Sequence, residues 1–190
     1  PEWEIGTNIL GSYSDSFTDQ AQGISTANQF IGEGAAVIFG AGGPLGSAAI
    51  SEAAQQGVFV VGVDQDEYLT TFDSGEAEGA EFLISSAIKR VDQGVIDMVA
   101  ALAEGDMDAF PGATNYILNI DNAGVGFAPK NDADLDDALY EEVEAILDML
   151  ISGELETGVD PVSGDLLEDM EMDMEEDMEA EPETTEESSD

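Results

Sequence analysis

Apolar residues along this chain fall into two patterns: short continuous runs at 36–39, 58–63 and 82–86, and longer stretches in which they recur every three or four positions. The short runs lie between glycine or polar residues and predict β-strands; the long ones predict amphipathic helices. Residues 3–10 form a further strand candidate. A helix over 21–34 follows from Ala21, Ile24, Ala27, Phe30 and Ile31, with Asp15 or Ser16 as its cap, and a second over 45–56 ends at Gly57. The run at 58–63 is almost wholly apolar, as a strand buried on both faces of a parallel sheet would be.

Residues 67–81 are polar and predict a loop or short helix. Ile88, Val91, Val95, Met98, Val99 and Leu102 share one face of a helix ending near Gly105. Residues 114–120 and 125–128 bracket Asp121-Asn122-Ala123-Gly124 and predict a hairpin. A last helix over 134–151, stopped by Gly153, carries Leu135, Leu139, Val143, Ile146, Leu147 and Leu150 as its expected buried stripe. Strands alternating with helices predict an α/β fold around a parallel sheet.

Charge changes what such a fold can do. Three cations (Lys89, Arg90, Lys130) face 44 acids in 190 residues, a net charge of -41. Repulsion at that density excludes nucleic acid and anionic membrane surfaces as direct partners. Histidine and cysteine are both absent. Ser-His and Cys-His catalysis, thiolate metal sites and disulfides are therefore excluded, and no metal or cofactor is expected. No apolar run approaches the ~20 residues that span a bilayer.

The densest chemical signal is Gly40-Ala41-Gly42-Gly43-Pro44-Leu45-Gly46, which follows a strand and opens a helix, with Asp64 ending the next strand. Such a loop lets a ligand approach the backbone closely, and the helix start at Pro44 is expected to aim free N–H groups at it. One reading is a dinucleotide cradle in an NAD-dependent Rossmann-type oxidoreductase, because Asp64 lies 22 residues after Gly42. Against it, Leu45 stands where that pattern needs its third glycine, and no acid, base or hydride relay can be assembled nearby. The other readings are a tight turn with no ligand, and a lobe that grips a hydroxylated small molecule.

Four segments carry a resemblance: Gly34-Ala-Ala-Val-Ile-Phe-Gly-Ala-Gly-Gly-Pro-Leu-Gly46, Val60-Val-Gly-Val-Asp-Gln-Asp66, Ser85-Ser-Ala-Ile-Lys-Arg-Val-Asp92 and Gly124-Val-Gly-Phe-Ala-Pro129. In this order they resemble the basic membrane protein family, substrate-binding lipoproteins of ABC transporters, several of which bind purine nucleosides. The resemblance implies a type I periplasmic-binding-protein fold, of which this chain looks like the second half: residues 1–160 form one lobe, and the first lobe is expected ahead of Pro1. Residues 82–110 are expected to pack with that absent lobe. The implied function is a binding protein, not an enzyme, that sits outside the cytoplasm on a lipidated N-terminus and passes a nucleoside to a membrane permease. By the same resemblance Phe39 stacks on the base, Gly42 and Gly43 present backbone N–H groups, Asp64 accepts from ribose hydroxyls and Lys89 reaches the ligand or a cleft carboxylate.

From Asp165 onward lie 14 of the 44 acids, four of the seven methionines and no cation. Residues 161–190 are expected to form a disordered acidic, Met-rich tail. A cation-buffering or partner-binding role for that tail is the third functional class. The remaining body holds 30 acids against three cations, so like-charge repulsion opposes its folding at low ionic strength. Its melting temperature is expected to climb steeply with KCl from low to molar concentration; a flat profile would contradict that reading.

Overall fold

A computed structural model describes residues 9–110, 112–160, 163 and 165–167. The expected strand at 3–10 and the 161–190 tail lie almost wholly outside them. Within the described chain, α1 (Gln20–Gly32), β1 (Val37–Phe39), α2 (Pro44–Gln55), β2 (Phe59–Asp64), β3 (Leu83–Lys89), α3 (Val91–Glu104), β4 (Val125–Phe127) and α4 (Asp137–Ser152) follow one another, with two single 3-10 turns before β3. The sheet order is β1-β2-β3-β4; the first three strands run parallel and β4 runs antiparallel to β3. Parallel strands bring the ends of β1, β2 and β3 to one edge, where the glycine loop, Asp64 and Lys89 emerge.

The core lies between α2 and one sheet face: Ile38, Ile50, Ala53, Ala54, Val60, Phe72, Ala80 and Leu83. Close approach makes this layer possible. A Cβ on Gly46 would overlap the Gly40 carbonyl, and one on Gly23 would overlap the Leu45 carbonyl, so α2 rests against the β1 loop and α1 against α2 backbone to backbone. Asp19, not Asp15 or Ser16, caps α1: its carboxylate accepts from Gln22 N–H, while Ser16 Oγ accepts from the N–H groups of Thr18 and Asp19 in the turn before it.

Four further expectations are corrected. The helix ending near Gly105 does not take in Ile88: β3 runs on through Lys89 and α3 opens at Val91. β2 is not covered on both faces: Val60 and Gly62 are buried, while Phe59, Val61 and Val63 are only half-buried, because the described helices cover one side. Residues 114–120 form no hairpin with β4. Asn122 holds that turn instead, its amide donating to Ile117 O at 2.8 Å and its Oδ1 accepting from Asn119 N–H, which leaves β4 to pair with β3. The stripe on α4 is not buried either, since Leu139, Val143 and Ile146 are exposed among the described residues.

β2 and β3 are out of step by one residue. Val60 pairs with Leu83 but Val61 with Ser85, so Ile84 bulges from the ladder, and Tyr140 of α4 donates to the Ile84 carbonyl at 3.0 Å. The start of α4 is fixed by Lys130, which pairs with Asp137 at 2.7 Å, donates to Leu135 O and lies 5.2 Å over the Tyr140 ring. The hydrogen bond with Lys130 holds the Asp137 carboxyl below the usual carboxylate range and raises the lysine in turn.

The backbone contact at Gly46 yields a direct test. Gly46→Ala is expected to cost about 1–3 kcal/mol in urea unfolding, as overpacking against rigid atoms does. Gly126→Ala, where the added methyl meets nothing within 4 Å, is the matched control and should unfold almost as the parent does.

Candidate functional site

The site grows from the three parallel strand ends. At the end of β1, Phe39 is 58 % exposed while its neighbour Ile38 is buried. Alternation along a strand does this: Ile38 faces the core, and the ring of Phe39 is left on the other side. Of the two roles open to Phe39, a core side chain and a surface-presented ring, the geometry matches the second among the described residues.

The glycine loop follows. Gly43 has φ +56°, a conformation side chains resist, and opens α2 with Pro44 in the first turn. The helix N-terminus is less open than the sequence suggests. Leu45 N–H donates to Phe17 O at 3.0 Å, and the N–H groups of Gly46 and Ser47 turn back to Gly42 and Gly43 carbonyls. Among the described residues, the N–H groups of Ala41, Gly42 and Gly43 are the loop donors left without a protein acceptor. The loop that carries Phe17 thus packs against the glycine loop, a neighbour that the sequence reading did not single out.

Asp64 ends β2 with φ +70°. Gln65 N–H donates to Val63 O at 2.9 Å, closing a three-residue turn with Asp64 at its apex. Such a backbone costs roughly 1–3 kcal/mol and persists where surrounding structure imposes it, most often at ligand sites. The strained apex lifts the carboxylate out of the strand toward Lys89. Lys89 Nζ lies 2.8 Å from Asp64 Oδ1, with the two side chains 56 % and 51 % exposed. A pair so open to water contributes under about 1 kcal/mol to stability, so its geometry matters more for what it presents than for what it holds together.

Each of the other cations is also paired, Arg90 with Asp92 and Lys130 with Asp137. Arg90 keeps the Asp92 carboxyl below its usual range. At the same sheet edge, Tyr68 donates to Asp132 at 2.7 Å, which raises the phenol above its ordinary value, and ties the loop after β2 to the segment leading into α4. Beneath the loop, Glu67 and Ser86 are the buried polar side chains among the described residues; sequence reading passed over both. A Glu in a polar run and a Ser in a strand carry no signal of burial. Among the described residues no group of three acids is placed to hold a metal ion, and no helix is long and apolar enough to cross a membrane.

Known proteins resemble this chain in sequence and in fold. A nucleoside-binding protein of an ABC transporter in Lactococcus lactis subsp. cremoris is 34 % identical over 143 residues, covering 70 % of this chain and 38 % of the relative. A crystal structure described as a transcriptional activator of the comK gene from Bacillus halodurans superposes with a TM-score of 0.64 at 16 % identity, over 76 % of this chain and 47 % of that one. A solute-binding protein of an ABC transporter system from Conexibacter woesei gives 0.57 at 20 % identity, over 76 % and 44 %. These two share the fold. This chain therefore spans less than half the length of each. The family model of PnrA-like ABC transporter substrate-binding proteins matches residues 6–159. That family is one of substrate-binding proteins, which favours the binding-protein reading over the oxidoreductase one. With the α/β lobe, the strand-end site and the match in hand, the chain belongs to the PnrA-like family of ABC transporter substrate-binding proteins.

Proposed function

We propose that this chain is the second lobe of a substrate-binding component that captures a nucleoside outside the cytoplasm and hands it to a membrane permease. The observation that carries the reading is the Asp64–Lys89 pair, 2.8 Å apart on adjacent strand ends and beside the strand that presents Phe39. A carboxylate can accept from two adjacent hydroxyls at once, which suits a ribose 2′,3′-diol. Lys89 stands beside that carboxylate and has further N–H donors for the ligand. Phe39 offers a face for the base, a contact worth about 1–3 kcal/mol per stacked ring. Gly42 and Gly43 supply neutral donors in a site where another cation is not needed. No group here needs to exchange a proton or electron for capture and release.

The 82–110 segment divides in this reading. β3 is an inner strand of the lobe, and what the segment offers to a first lobe is α3, whose Val91, Val95, Ile96, Val99 and Leu102 are exposed. A lipidated N-terminus would belong to the part of the protein before Pro1.

Calorimetry on the full-length protein with uridine, adenosine, guanosine and ribose tests this. Binding of at least one nucleoside is expected, with its 2′-deoxy analogue bound roughly 10- to 100-fold more weakly, the size of a lost hydrogen bond to a charged group. Asp64→Asn should erase most of that discrimination and Phe39→Ala should weaken ribonucleoside and deoxynucleoside alike. Absence of heat with every nucleoside would overturn the proposal.

A further inference from the structure

Glu67 is 4 % exposed, and among the described residues no cation pairs with it. The partners of its carboxylate and of its backbone N–H are all hydroxyls. Ser47 Oγ donates to Oε1 at 3.0 Å, Thr71 Oγ1 donates to Oε2, and the Glu67 backbone N–H donates to Ser86 Oγ at 3.1 Å, itself fully buried. A buried carboxylate is costly to desolvate and is retained only where its hydrogen bonds are met. Space has been cleared for it. Gly62 pairs with Ser86 across the sheet, and a Cβ on Gly62 would lie 2.5 Å from both Glu67 Cγ and Ser86 Oγ.

The partners of Glu67 come from all three segments that carry the proposed ligand groups. Ser47 is four residues past Gly43 on α2, Glu67 is three past Asp64, and Ser86 is three before Lys89 on β3. One side chain and its backbone N–H thus tie the glycine loop, the strained Asp64 turn and the Lys89 strand to a common point beneath the strand ends. Neither an apolar residue of similar size nor the exposed Asp64–Lys89 pair could do this: the first lacks directional bonds and the second is loosened by water.

We infer that Glu67 is a positioning residue, which sets the spacing of the glycine loop relative to Asp64 and Lys89 through Ser47, Thr71 and Ser86. This rests on the nucleoside-binding reading above for its ligand, but not for its geometry. Residues behind the groups that touch a ligand typically change affinity by roughly 10- to 100-fold when removed, as the outer partners of metal ligands do. Glutamine can keep the network, its amide oxygen accepting from Ser47 and its NH2 donating to Thr71.

The test uses the full-length protein and two readouts. Glu67→Ala should weaken binding of the best nucleoside about tenfold or more. Glu67→Gln should bind nearly as the parent does. Leu83→Val, at the far end of β3, serves as a core control: it should lower the melting temperature while leaving affinity unchanged. Amide hydrogen exchange without ligand is the second readout, and Glu67→Ala should speed exchange at residues 42–47 and 64–68 while leaving 50–54 protected. Parent-like affinity in Glu67→Ala, or an affinity loss in Leu83→Val matching that of Glu67→Ala at equal loss of melting temperature, would overturn the inference. If the parent itself binds no nucleoside, the functional proposal fails, and the exchange pattern alone decides the positioning role: unchanged exchange at 42–47 and 64–68 would overturn it.

Discussion

The single-residue shift between β2 and β3 is the constraint on which the rest of the site depends. Past Val60 every residue of β2 faces a β3 residue one position later than an unbroken ladder would give, so Asp64 meets Ile88 and Gly62 meets Ser86. Because side chains alternate between faces, a slip of one residue exchanges what lies above the sheet with what lies below. Without the bulge at Ile84, Gly62 would face Ser85, and the hydroxyl of Ser86 would not sit beneath the Glu67 backbone. The bulge needs an acceptor's partner of its own. Tyr140 supplies it from α4, and Lys130 and Asp137 hold the start of α4 where the phenol can reach. A contact far along the chain thereby fixes the register of two strand ends.

Charge is organised around this frame by scarcity. Each of the three cations is committed to one carboxylate, and one of those pairs stands at the strand ends. Cohesion of the described lobe then rests on hydrogen bonds, several from hydroxyls to carboxylates, and on the thin apolar layer between α2 and the sheet. Small residues make that layer thin: Gly23, Gly40 and Gly46 bring backbones into contact, and Ala53 and Ala54 fill what remains. Buried Glu67 fits the same economy of cations. It is satisfied by hydroxyls because no lysine or arginine is to be had, and hydroxyls on three different segments make it a tie rather than a charge pair.

Local signals in the sequence carried most of the fold. Short apolar runs marked β1, β2 and the start of β3, Gly57 and Gly153 marked helix ends, and the glycine loop marked the turn into α2. The same reading placed Phe39, Gly42, Gly43 and Asp64 on strand ends or the adjoining loop, but put Lys89 in the following helix, whereas it ends β3. It could not see that Asp64 and Lys89 touch, since 25 residues separate them and the bulge that aligns them follows from a tertiary contact with Tyr140. The hairpin at 114–128 failed for a related reason. Residues 114–120 have strand composition, but Asn122 takes their backbone groups, and the competition between a side-chain-capped turn and a ladder leaves little trace in composition. The resemblance, carried by four ordered motifs, supplied what periodicity lacked, namely that the glycine loop belongs to a binding protein.

Two helices show where periodicity stops being informative. α3 and α4 have the apolar faces the sequence predicts, yet Val95, Val99, Val143 and Ile146 are exposed among the described residues. A hydrophobic stripe states that a face is to be buried, without saying against what. For α1 and α2 the answer is local, because glycine and alanine at their contact allow no other fit. For α3 the stripe is broad and branched, and Gly94 opens an apolar groove of about 340 Å3 between it and the Tyr116–Leu118 segment. β3 is held by this sheet, and α3, two residues further on, keeps its apolar face exposed among the described residues.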